Sequence, residues 1–162
     1  MPGALSTKRT TPLAVVAGFA VFMAVLAIPF PAQGACSLTS TSVVFGAYDI
    51  FSNAPLDTLG QVIFRCNNND HNVSISLDKG GAPTFNPRLM LKGTNLLNYN
   101  LYLDAARTVI WGDGTGGTQN FFIANPQPNN RDISVPLYGR IPAGQGATVG
   151  NYSNTITVTI NF

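Results

Sequence analysis

Few residues in this chain are of types that do chemistry. His71 is the single histidine, and it sits in an Asn67-Asn-Asn-Asp70 turn context. A Ser–His–Asp triad needs its imidazole buried beside a carboxylate and a serine, and the surrounding turn residues point instead to a solvated side chain. Zinc asks for three or four His, Cys or acidic ligands, which one histidine and two cysteines do not supply. All seven acidic residues are Asp, scattered through strand-flanking turns where Asp is an ordinary turn former. The Gly112-Asp-Gly-Thr-Gly-Gly117 run lacks the Gly-Lys-Ser/Thr ending and following helix of a phosphate loop. Its one carboxylate is too few for a calcium loop, so it reads as a hairpin connection. Tyr99, Tyr102 and Trp111 could line a sugar-binding surface, although core packing is the commoner fate of such aromatics. No catalytic site, metal site or cofactor is expected.

Cys36 and Cys66 carry more information, because the N-terminus reads as an export signal. Lys8 and Arg9 precede an apolar run from Leu13 to Ile28, and Ala32-Gln33-Gly34 offers a small-residue cleavage site. The run is shorter than the roughly 20 residues of a spanning helix, so residues 1–34 are expected to be a signal peptide, leaving no membrane anchor. Cleavage after Ala27 is an alternative. Cys36 could instead be a lipidation site, but Gln33 stands where a lipobox wants an apolar residue. In an oxidising compartment the default for the two cysteines is a Cys36–Cys66 disulfide.

Residues 35–162 form one domain's worth of chain, and seven basic residues balance seven Asp there. That leaves no basic footprint for nucleic acid. A surface of Asn, Thr, Ser, Gln and Gly disfavours helix, and its near-neutral charge puts little repulsion in the way of self-association.

Period-two alternation recurs along this domain, bounded by turn residues. Strands are expected at Ser42–Tyr48, Gly60–Cys66, Asn72–Asp78, Leu96–Leu103, Val109–Trp111 and Gln119–Ala124. Ile133, Val135 and Leu137 make another, placed at an edge or bulge by Pro136, which cannot donate to a ladder. The clearest is Thr155–Phe162, with Ile156, Val158, Ile160 and Phe162 on one face. This many short strands indicate an all-β sandwich.

Several ordered patterns resemble one family. Val44-Phe45-Gly46-Ala47-Tyr48 follows Cys36, and Val62-Ile63-Phe64-Arg65-Cys66 carries the second cysteine. Asn98-Tyr99-Asn100-Leu101-Tyr102 then precedes Trp111-Gly112-Asp113-Gly114. Tyr138-Gly139-Arg140-Ile141-Pro142-Ala143-Gly144-Gln145 leads to Gly150-Asn151-Tyr152-Ser153-Asn154 and the last strand. Together these resemble the spore coat protein U domain, the family that includes archaic chaperone–usher (Csu-type) pilins. The resemblance covers about residues 35–162.

It implies an incomplete immunoglobulin-like sandwich with a groove beside its last strand, lined by Ile156, Val158, Ile160 and Phe162. In the family a periplasmic chaperone fills that groove first and a neighbouring subunit later, at an outer-membrane usher. Strand addition of this kind satisfies an open edge with backbone bonds and fills pockets with alternate side chains. The implied role is a structural or adhesive fibre subunit, exported to the periplasm and then the cell surface. The alternatives are a coat or matrix protein that folds alone and a carbohydrate-binding module. Cleavage at Gly34 would leave a single residue ahead of Cys36, and the earlier cut about eight, interrupted by Pro29 and Pro31. A subunit without a donor segment is expected at a tip or minor position.

Overall fold

Alternating apolar residues build eight strands in the computed structural model, which describes residues 36–40, 42–67, 70–126 and 131–162. The segment read as a signal peptide lies outside the described residues. The strands are β1 (Ser37–Ser40), β2 (Leu56–Arg65), β3 (Val73–Leu77), β4 (Arg88–Lys92), β5 (Asn95–Tyr102), β6 (Phe121–Ile123), β7 (Ile133–Ile141) and β8 (Val158–Asn161). There is no helix among the described residues.

All ladders between these strands are antiparallel, and they form two sheets. The first runs β1-β2-β7-β5-β4 and the second β6-β3-β8. A disulfide joins Cys36 to Cys66, tying the start of β1 to the end of β2. The core lies between the sheets. Val62 and Phe64 of β2 enter it from one side, with Leu97, Tyr99 and Leu101 of β5 and Val135, Leu137 and Ile141 of β7. Val73, Ile75 and Leu77 of β3 meet them from the other, all nearly or wholly inaccessible. Each such aliphatic side chain, taken from water, contributes about 1.5–3 kcal/mol.

Ser42–Tyr48 forms no strand. Its alternation is nonetheless real, since Val43 and Phe45 pack against the core while Val44 is 73% exposed. It makes no ladder, and the hydroxyl of Thr58 donates to the Val44 carbonyl at 2.7 Å. The first strand is Ser37–Ser40 instead, paired with Val62–Arg65. Val109–Trp111 is reduced to bridges, Tyr102 with Ile110 and Trp111 with Gln119. Within Thr155–Phe162 only Val158–Asn161 is laddered.

Pro136 sits in the strand between β2 and β5, not in a strand at the sheet's rim. The fold tolerates it because β5 reaches only Tyr138, Gly139 and Arg140 of β7. At Pro136 the strand has β2 on one side alone, paired at Gln61, so the proline occupies a local edge.

Trp111 is fully buried, and its indole N–H donates to the Ile75 carbonyl at 2.9 Å. Tyr99 is also buried, at 4% exposure. The three aromatics weighed as a sugar-binding surface do not form one: Tyr99 and Trp111 are core residues, the commoner fate of such side chains, and Tyr102 alone reaches the surface.

Candidate functional site: an open cleft beside the last strand

β8 pairs with β3 along one side, through Ser74–Asn161, Ile75–Ile160, Ser76–Thr159 and Leu77–Val158. Beyond the ladder, the Asp78 N–H donates to the Thr157 carbonyl at 3.0 Å. The Thr157 N–H donates to Asp78 Oδ1, also at 3.0 Å. Residues 157, 159 and 161 thus spend their backbone groups on β3. In an antiparallel ladder the intervening residues turn theirs the opposite way. Ile156, Val158 and Ile160 present N–H and C=O to an edge that no other described strand pairs. Their side chains face the interior, half-buried.

A cleft of about 390 Å³ opens along that edge. Its floor is the inner face of the five-stranded sheet, with Val62, Leu137, Leu101, Tyr99 and Met90, joined by Leu77 from β3. One wall is Tyr152 to Ile156 with Val158; the other is Ser42, Val43 and Phe45. Both walls lie outside any ladder over 42–45 and 154–157. Phe45 is fixed by an edge-on contact with Tyr99, 5.9 Å between ring centroids.

The far wall is held from behind. Asp78 Oδ1 also accepts from the Gly80 N–H at 2.9 Å, closing the turn after β3. Gly80 has φ +60, and an added Cβ would lie 2.4 Å from Asn154 Nδ2 and 2.6 Å from Ile156 Cδ1. Only glycine allows this approach. Asn154 Nδ2 in turn donates to the Tyr99 hydroxyl at 3.0 Å. Burial pushes the Tyr99 phenol above its ordinary value, so it stays neutral.

Arg88 braces the same turn from within the core. It donates from Nε to the Asp78 carbonyl at 3.0 Å, from Nη1 to Asn100 Oδ1 at 2.7 Å and from Nη2 to the Trp111 carbonyl at 2.6 Å. Its guanidinium is pushed down by burial, yet three acceptors offset the desolvation.

Of the four residues expected in a groove, Ile156 and Val158 line the cleft. Ile160 packs against the core beyond its end, and Phe162 is 53% exposed and outside it. The sequence reading missed Val43, Phe45, Tyr152 and the Tyr99 floor. Alternation at Val43 and Phe45 was the available signal.

The other candidates do not assemble into reactive sites. His71 Nδ1 lies 3.1 Å from Asn125 Oδ1 on the surface. Asp113 accepts from the Thr115 N–H at 2.9 Å and its hydroxyl at 2.6 Å, and these bonds hold its carboxyl below the usual range. Ligand-type atoms of Cys36, Cys66 and Asp70 lie within 4.8 Å of one another. The sulfurs are bonded to each other, however, and Asp70 Oδ2 accepts from the Asn67 N–H at 2.7 Å.

A model of the Spore Coat Protein U domain matches residues 23–159. The chain belongs to that family. Among curated relatives of this Spore Coat Protein U domain chain, it is 29% identical over 127 residues to Protein U of Myxococcus xanthus. That match takes in 78% of this chain and 55% of the relative, so the chain spans about half the relative's length. Among solved structures it is similar to the CsuC–CsuE chaperone–tip adhesion subunit pre-assembly complex of archaic chaperone–usher Csu pili, from Acinetobacter baumannii. The TM-score is 0.58 at 21% identity, covering 80% of this chain and 40% of that one. The likeness establishes a shared all-β fold.

Proposed function

We propose that this domain is a structural or adhesive subunit of a chaperone–usher surface fibre, and that its cleft receives an added β-strand. The observation that carries this is the pairing of an apolar floor with two facing segments whose backbones lie outside any ladder. An extended peptide in the cleft would bond to the free edge of Ile156, Val158 and Ile160 and place alternate apolar side chains on Leu101, Leu137 and Val62. A periplasmic chaperone would supply the first such strand and a neighbouring pilin the second, at an outer-membrane usher. The fold shared with a chaperone-bound tip adhesion subunit supports this reading, including a tip or minor position.

The test is co-expression of the full chain with a cognate periplasmic chaperone. The wild type should co-purify with it, and Val158→Asp, which sets a charge in the cleft wall, should not. A wild-type chain that folds stably and never engages the chaperone overturns the proposal. That outcome favours a second reading, a coat or matrix protein that folds alone, for which the family's name and the Protein U relative speak. Mass spectrometry of the mature N-terminus addresses the tip position: a strand-length alternating segment before Cys36 would contradict it.

A further inference from the structure

The outer face of the five-stranded sheet, turned away from the cleft, carries a second cluster. Strand register places Asp57 opposite Arg140 and Leu59 opposite Tyr138 across β2 and β7, and Tyr138 opposite Tyr102 across β7 and β5. Residues that alternate with these, such as Leu137 and Leu101, line the cleft on the other face. Arg140 forks onto Asp57, from Nε at 2.7 Å and Nη2 at 2.9 Å.

Arg107 reaches the same carboxylate from the loop after β5, with Nε 3.3 Å from Asp57 Oδ1. Its Cζ lies 5.9 Å from the Tyr138 ring centroid. Arg107 has φ +59, a left-handed backbone that a non-glycine residue rarely holds. The loop enforces it, because the Asp104 carboxylate accepts from the Thr108 N–H, the Thr108 hydroxyl and the Val109 N–H at 2.8–2.9 Å. Two guanidinium groups therefore share one carboxylate, a local excess of positive charge on a domain whose charges balance in total. Arg107 Nη2 and Arg140 Nη1 have no partner among the described residues.

We propose that this face binds a carboxylate-bearing glycan of the uronic-acid type. A sugar ring would stack its C–H face on Tyr138 and Tyr102 beside Leu59, which is 66% exposed. Its carboxylate would pair with the free guanidinium edges, the planar recognition at which Arg excels. A nucleic acid wants a longer basic stripe than two arginines provide. A protein partner wants about 800 Å² a side, more than this cluster of six side chains offers.

Binding of a hexuronate oligosaccharide to the full chain, carrying whatever strand fills its cleft, tests the assignment by calorimetry beside a neutral oligosaccharide of the same linkage. The wild type should bind the hexuronate and not the neutral sugar. Arg107→Gly should weaken binding about tenfold, the value of a charge-assisted hydrogen bond. Tm should change little, because relief of the left-handed strain offsets the loss of the Asp57 ion pair. Asp57→Asn should tighten binding severalfold by releasing both guanidinium groups, a gain that a merely structural ion cluster would not show. Equal binding of the neutral sugar, no hexuronate binding by the wild type, or weakened binding in Asp57→Asn overturns the proposal. Hexuronate binding is read by calorimetry and strand capture by co-purification with the chaperone, so a failure of the strand-addition reading is seen separately.

Discussion

β7 and the last segment of the chain share a sequence pattern and differ in their neighbours. Ile133–Ile141 and Thr155–Phe162 both alternate apolar with polar residues through a full strand length. β7 has β2 along one side and β5 along part of the other, and its Val135, Leu137 and Ile141 are at most 5% exposed. The last segment has β3 on one side alone, and Ile156, Val158 and Ile160 stay half-buried. Alternation reports which face is apolar; the number of strands alongside decides how far it is buried. The contrast marks where the proposed strand addition would act, because the under-covered face is the one with capacity for a partner.

A charge placed at equivalent points should separate the two regions most sharply. Leu137→Asp puts a carboxylate into a floor that is 3% exposed. An unpaired buried charge costs several kcal/mol, a large share of a stability of about 5–15 kcal/mol, so the domain should fail to fold. Val158→Asp faces the open cleft and should fold while losing its strand partner. Circular dichroism of both variants checks this, and equal unfolding would erase the distinction.

The disulfide belongs to the well-paired side, since it ties β1 to β2. Replacing Cys36 and Cys66 by Ser removes a cross-link at a sequence separation of 30, worth about 3–4 kcal/mol in the chain-entropy model. Urea unfolding should show that loss, with affinity for a cleft-filling strand little changed. A collapse of strand binding at full stability would mean that the cleft depends on β1.

The two regions were also unequally legible in the sequence. Val73–Leu77 and Gly60–Cys66 were readable because each buries one face against partners that any sandwich supplies. Ser42–Tyr48 showed the same period but forms no ladder, since pairing depends on a neighbour that its own residues do not encode. Arg88–Lys92 was missed because charges at both ends hide an apolar centre. Arg88 is buried only because Asp78, Asn100 and Trp111, from three separate segments, supply its acceptors. Core packing of Trp111 was the commoner reading, but its hydrogen-bond partner, the Ile75 carbonyl, lies 36 residues away and was not legible. Of the four residues expected along the last strand, Ile156 and Val158 line the cleft, whereas the opposite wall depends on how the chain folds back.

Gly80 links the turn after β3 to the cleft wall and should give an intermediate effect. Gly80→Ala adds a Cβ within 2.6 Å of Ile156 Cδ1 at a backbone φ of +60. Strain and overpacking together should cost about 1–3 kcal/mol. Because the clash lies behind the wall, Asn154 and Ile156 should be pushed into the cleft and narrow it. Strand affinity should therefore fall by more than the stability loss accounts for. A variant that loses stability but binds a strand normally would show that the wall yields away from the cleft.

The smallest expected effect is in pH, and it falls on the β2–β7 side. The hydrogen bond from Arg140, aided by the charges of Arg140 and Arg107 and opposed by partial burial, holds the Asp57 carboxyl below its ordinary value. A carboxyl lowered in the folded state binds protons more weakly there than in the unfolded chain. Its contribution is fully present above the ordinary value of about 3.9 and is lost as pH falls through the lowered folded value. The pair is partly exposed, so the contribution should be no more than about 1 kcal/mol and should shrink with salt. Asp104, Asp113 and Asp132 are lowered too, but they are common to the wild type and Asp57→Asn and cancel in the difference. The wild type should be the more stable at pH 7, and the two should converge in acid. The last segment, Thr155–Phe162, contains no ionisable side chain. A pH-dependent difference of the opposite sign would mean that Asp57 is a net liability there, retained for something other than stability.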